Sequence, residues 1–181
     1  MRKVLYLLPA LCLAFVAACG PSQPIPDRQE KFVRIIQDGM RGYVNANREE
    51  LVQKAITTRD ASFAAFVAEN AAFTDWVLKI DKIEVKDVEV NGATVKAVTF
   101  FKGTMDDGSL ETAPNAYIVA GTPLFDAMSP LKSGGAVVVS GKFLLNAEGK
   151  IAMNPKDLAD QKASMKDPEF LVAFDSVKVA K

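Results

Sequence analysis

Histidine is missing from all 181 residues. Its absence removes the commonest general base and the commonest transition-metal ligand together. Cysteine is almost as scarce: Cys12 and Cys19 are the only two, and both fall in the first 19 residues. From residue 20 onward there is no thiol to form a disulfide, hold zinc or act as a nucleophile. An excess of one charge is lacking too, because 22 Lys and Arg balance 22 Asp and Glu. Nucleic-acid binding usually shows as a basic surplus, so that class is disfavoured. No apolar run reaches the ~18–20 residues of a permanent membrane-spanning helix; the one from Val4 to Ala18 has 15.

That run has a purpose of its own. Arg2 and Lys3 precede it and small residues close it, the layout of a secretory signal. Val16-Ala17-Ala18-Cys19 has the order aliphatic, small, small, Cys, and so resembles the lipobox of a bacterial lipoprotein signal. The resemblance implies that residues 1–18 are removed and that Cys19 becomes the acylated first residue. An ordinary cleaved signal would also be satisfied by the small residues alone. Gly20, rather than aspartate, follows the cysteine. By analogy with lipoprotein sorting in enteric bacteria, this implies an outer-membrane anchor facing the periplasm. Several acyl chains, at ~0.8 kcal/mol per buried CH₂, would make that anchor essentially permanent.

Removing residues 1–18 leaves 163, a one-domain length, with 20 basic and 22 acidic residues. Such a chain buries enough surface to fold without a metal or disulfide. Residues 19–26 hold Pro21, Pro24 and Pro26 and read as a short extended tether. Residues 27–72 read as a helical segment of three helices. Asp27 with Glu30, and Asn47 with Glu50, suggest N-terminal capping arrangements, and a third short helix is expected from Asp60 to Glu69. Phe32, Ile35, Ile36, Met40, Tyr43 and Val44 recur at helical spacing, as do Leu51, Val52, Ala55 and Ile56. Phe63, Phe66 and Val67 complete the inward-facing set and read as core rather than as a ligand slot.

At Trp76 the period changes to 2, opening a β domain over residues 73–181. Trp76, Leu78 and Ile80 alternate, then Ile83 and Val85 continue on shifted parity, which predicts a β-bulge near Asp81-Lys82. Asn91-Gly92 predicts a tight hairpin into a strand from Thr94 to Lys102. Asp107-Gly108 predicts the next turn, before a third strand in two pieces around Pro114 ending at Val119. Thr122-Pro123 starts a helix, stopped by Pro130 and Ser133-Gly134-Gly135. A strand from Ala136 to Leu145, a turn at Asn146–Gly149, a short piece at Lys150–Met153, a helical connection from Asp157 to Ser164 and a last strand from Phe170 to Val179 complete the chain.

Strand, strand, strand, helix, strand, strand is the order of the oligonucleotide/oligosaccharide-binding (OB) barrel. The expected fold is therefore α+β: N-terminal helices, then a five-stranded OB-like β-barrel with a helix between strands three and four. Trp76–Ile80, Thr122–Phe125, Leu131–Gly134, Val137–Phe143, Asp167–Leu171 and Phe174 also resemble a set of uncharacterised exported bacterial proteins. That likeness implies an OB-like barrel behind a helical stretch and implies no activity, since a fold does not settle function.

Chemistry-bearing motifs are few. Asp106-Asp107-Gly108 with Glu111 lacks the ligand spacing of a calcium loop and reads as a solvated turn. Ser129 and Ser140 have no activating base in their sequence context. Gly134-Gly135 precedes a strand rather than a helix and reads as a turn, not a phosphate cradle. Lys79, Lys82, Lys86, Lys96 and Lys102 give the first two strands a basic lean, interrupted by Asp81, Glu84, Asp87 and Glu89. Lysines of this kind commonly protect sheet edges. If the strands carry ligand instead, the candidate ligand-binding residues are Lys79, Lys96, Phe100, Phe101 and Tyr117. No catalytic residue, metal ligand or cofactor is indicated. The functional expectation is a non-enzymatic binding or structural module, anchored in the membrane through Cys19 and engaging an envelope protein or glycan. A carboxylate-dependent hydrolase of envelope polymers and an OB-fold nucleic-acid binder are the alternatives. No residue pattern speaks to oligomeric state.

Overall fold

Among the described residues, two long helices precede a six-stranded sheet whose strands bond in a ring. The structure is a computed structural model and describes residues 24–156 and 160–180. The expected leader, Cys19, the tether up to Gln23 and the expected helix start at Asp157 lie outside the described residues. No described helix is long and apolar enough to cross a membrane.

Helix α1 spans Asp27–Val44 and α2 spans Glu49–Glu69. The expected third helix is part of α2: no Gly or Pro interrupts residues 49–69, so nothing stops propagation at Asp60. The expected capping boxes do not form. Pro26 and Arg48 occupy the N-cap positions without side-chain caps, and Asp27, Glu30, Glu49 and Glu50 instead place carboxylates in the first turns, where the helix dipole favours them. Arg59, only 4% exposed, directs Nε and Nη2 to Asp60 and Nη1 to the Ser164 carbonyl. It thereby ties α2 to the short C-terminal helix α4, Gln161–Ser164.

The strands are β1 Ala72–Val90, β2 Ala93–Met105, β3 Gly108–Thr112, β4 Ile118–Val119, β5 Ala136–Phe143 and β6 Glu169–Val179. Pairing runs β1–β5–β6–β3–β2 and returns from β2 to β1, with β4 attached to β2. Every pair is antiparallel except β3–β6. Six strands stand where five are expected because the third divides: Pro114 donates no backbone hydrogen bond and Asn115 takes φ 62°, so the chain turns between β3 and β4. The predicted bulge is present, with Asp81 unpaired between the Ile80–Gly103 and Lys82–Lys102 partners. A second irregularity, at Thr99, falls where Glu84 faces Phe100 and Val85 faces Val98. Asn91 and Gly92, both at positive φ, make the β1–β2 turn. Helix α3, Pro123–Met128, lies between β4 and β5, and Thr122 Oγ1 caps it by accepting from the Phe125 N–H at 3.2 Å.

Helices and sheet meet in one aromatic cluster. The Phe32 ring lies 4.9–5.2 Å from the rings of Phe63, Phe66, Trp76, Phe143 and Phe170. A polar clasp aligns α1 with the edge of β1. Buried Gln29 donates from Nε2 to the Val77 carbonyl at 2.7 Å and accepts the Val77 N–H on Oε1 at 2.8 Å. One amide side chain thus satisfies both backbone groups that the sheet leaves unpaired there. At Gly141 the β5 and β6 backbones come so close that a Cβ would stand 2.3 Å from the Ala173 carbonyl oxygen.

Candidate functional site

Alternation along the strands divides β1, β2, β3 and β6 into an inner and an outer face. On the outer face Glu84 lies opposite Phe100, Lys82 opposite Lys102, and Lys102 opposite Glu111. Parallel pairing places Glu169 of β6 opposite Ser109, two residues before Glu111. Asp81, Lys82, Glu84, Phe100, Lys102, Glu111 and Glu169 line a cleft of about 440 Å³, completed by Asn154 and Lys156 from the segment that leads toward β6.

The floor is ionic and hydrogen-bonded. Lys102 Nζ donates to Glu169 Oε1, and both side chains are largely covered, at 16% and 20% exposure. Burial opposes the charge on Lys102, but its hydrogen bond to Glu169, with the nearby charges of Glu169, Asp167 and Glu111, outweighs burial and raises the pKa above the ordinary lysine value. Glu111 is buried in β3, and its Oε1 accepts from Asn154 Nδ2. The Glu169 carbonyl in turn accepts from the Asn154 N–H at 2.9 Å, so the loop carrying Asn154 is held against β6.

The rim combines an aromatic ring with paired charges. Phe100 is half-buried, and Lys82 Nζ stands 5.5 Å from its ring centroid, near the outer limit of a cation–π contact. Lys82 also pairs with Glu84 at 2.6 Å, and Lys86 takes the other Glu84 oxygen. The hydrogen bonds from Lys82 and then Lys86 pull the Glu84 carboxyl down to about 2. The cleft therefore presents fixed donors and acceptors beside one flat apolar surface. A general acid needs a raised carboxyl pKa, and the shift at Glu84 runs the other way.

The sequence candidates do not converge. Phe100 is in the cleft. Phe101 is fully buried on the opposite face, 5.1 Å from the Phe174 ring, and offers no stacking surface. Lys79 lines a different cleft of about 430 Å³, between α1 and the sheet, with Ile25, Val33 and Met105. Lys96 is exposed near the β1–β2 tip, opposite Asp87. Tyr117, 40% exposed, hydrogen-bonds Asn115 in the turn before β4. A third hollow, between α1 and α2, is lined mainly by small and apolar residues such as Ile35, Gly42, Leu51 and Ala55.

Glu111, Asn154, Lys156 and Glu169 are the cleft residues that sequence reading does not assign to a site. Glu111 is not part of the Asp106-Asp107 turn but sits mid-strand, paired across to Lys102. Its one signal in the sequence is a carboxylate alternating with Leu110 in a stretch of strand character. Gly134-Gly135 is a turn whose backbone bonds Ile80 of β1, and Ser140 Oγ accepts from the Asp75 N–H at 3.0 Å. Comparison of the chain with protein-family models, with curated proteins and with solved structures finds no match in any of the three.

Proposed function

We propose that this chain is a lipid-anchored lipoprotein facing the periplasm, a non-enzymatic binding module that engages an envelope component through the outer-face cleft. The observation that carries the reading is the cleft itself, where a half-buried aromatic ring stands beside a pre-paired set of hydrogen-bonding groups. Such a site suits recognition, because its polar groups are already held in place before a ligand arrives. The finer reading of the fold, an OB-like barrel, draws support from the circuit β1–β2–β3–β6–β5–β1, its parallel β3–β6 pair and α3 ahead of β5. OB barrels carry ligand on the face of their second and third strands, which here is the cleft side. The anchor rests on the lipobox-like Val16–Cys19 segment and its flanks.

Two measurements test the reading. Cys19→Ser is expected to leave a folded protein that no longer partitions with membranes, and mass spectrometry of the wild type is expected to find an acylated amino terminus. The Cys19→Ser protein is then mixed with cell envelopes freed of membrane lipid by detergent and sedimented. Retention that drops on Phe100→Ala supports the cleft as the binding face; retention indifferent to that change contradicts it.

A further inference from the structure

Resting on the binding-module reading, we infer that the cleft takes an electrically neutral glycan segment, with one sugar ring lying on Phe100 and its hydroxyls on the Lys102–Glu169 pair and Asn154. Charge is the first argument. Four carboxylates (Asp81, Glu84, Glu111, Glu169) face three ammonium groups (Lys82, Lys102, Lys156) across the cleft. A polyanion such as nucleic acid or a phosphorylated glycan needs a positive surplus to replace its counterions, and this lining has none. Two of these lysines are also engaged: Lys82 at the rim by Glu84, and Lys102 on the floor by Glu169. Recruiting Lys102 to an anionic ligand would draw it away from a carboxylate that is only 20% exposed.

Composition is the second argument. Phe100 is the one hydrophobic side chain among the nine that line the cleft. Protein interfaces concentrate aromatic and aliphatic anchors at their centre and deplete Lys, Glu and Asp there. A sugar ring, by contrast, has an apolar C–H face that suits an aromatic plane and a hydroxyl rim that both donates and accepts. Lys102 can donate to a hydroxyl and Glu169 can accept from one, while Glu111 fixes the Asn154 amide that completes the wall. A neutral ligand uses these groups without disturbing their charge balance. Lys82 is the group that must swing outward; its side chain is 58% exposed, and Glu84 keeps its contact with Lys86 when it does.

The test is calorimetric titration of the leaderless Cys19→Ser protein with two neutral probes, an N-acetylglucosamine hexasaccharide and maltohexaose, and one anionic probe, a heparin hexasaccharide. Binding of a neutral probe is expected, varying less than about twofold with added salt. Phe100→Ala should weaken it roughly tenfold or more, and Phe100→Trp should hold it within about threefold. Thermal melts of both variants check that the fold is intact. Tighter binding of heparin than of either neutral sugar overturns the neutrality inference and leaves the binding-module reading standing. Binding of no probe, with envelope retention still sensitive to Phe100→Ala, overturns the glycan assignment alone and points to a protein partner. If envelope retention is insensitive as well, both readings fall.

Discussion

Phe100 and Phe101 are neighbours in the chain, yet they occupy opposite faces of β2. Phe101 is fully buried, edge-on to Phe174, in the cluster that joins sheet and helices. Phe100 is half-buried on the outer face, beside Lys82 and Glu84. The contrast extends along the ring of strands: Leu78, Ile80 and Leu110 are buried core, whereas Lys82, Lys102 and Glu169 pair on the outside. A strand thus presents two surfaces at one-residue spacing, a buried core face and an outer face to which we assign recognition. Substitutions can show whether that separation holds.

The largest effect is expected from Phe101→Ala, which empties a site in the core. A loss of about 3–5 kcal/mol in unfolding free energy is expected, read from urea denaturation. Gln29→Leu comes next. It keeps the side chain's bulk but removes both hydrogen bonds to Val77, leaving a partly buried N–H and C=O unsatisfied. The expected cost is about 2–4 kcal/mol, with amide exchange accelerating first at Val77 and along α1. Phe100→Ala should cost less than about 1 kcal/mol while losing envelope binding. Should it destabilise as much as Phe101→Ala, the division between the faces is wrong.

Legibility from sequence follows the same division. Elements marked by local chemistry were readable: the Asn91-Gly92 turn, the Asp81 bulge and the Thr122 cap each depend on a few adjacent residues. The continuity of α2 was obscured by Asp60, which resembles a helix start but here accepts the Arg59 guanidinium. The break of the third strand at Pro114 is legible as well; Asn115, at positive φ, then turns the chain so that the two pieces stand as separate strands β3 and β4. The cleft was the least readable part. Its floor joins Lys102, Glu111, Asn154 and Glu169 only after β3 pairs with β6 in parallel, across a gap of some 60 residues. No period or short motif encodes that pairing, so Lys82 and Glu84 stand out in the sequence while the Glu169 partner of Lys102 does not. The same holds for Gln29, whose role depends on which backbone groups of β1 the sheet leaves open.

The smallest predicted effect lies at the rim. Lysine hydrogen bonds depress the Glu84 carboxyl from 4.5 to about 2 in the folded protein. The unfolded state therefore binds the proton at higher pH than the folded state does. The contribution of this contact is complete above pH 4.5 and fades as pH falls toward 2. Because the group is solvent-accessible, salt should screen the effect. NMR titration of the Glu84 side chain at low and high ionic strength checks both expectations, and an unshifted midpoint would remove the Lys82–Glu84–Lys86 contact from the account.

One measurement addresses the claim that the outer face recognises and the inner face supports: amide chemical-shift mapping of the labelled Cys19→Ser protein with neutral glycan fragments from the cell envelope. The account predicts shifts concentrated at Lys82, Phe100, Lys102, Asn154 and Glu169, with the α1–α2 hollow unmoved. Shifts gathered around Gly42, Leu51 and Ala55, with the cleft silent, would contradict it.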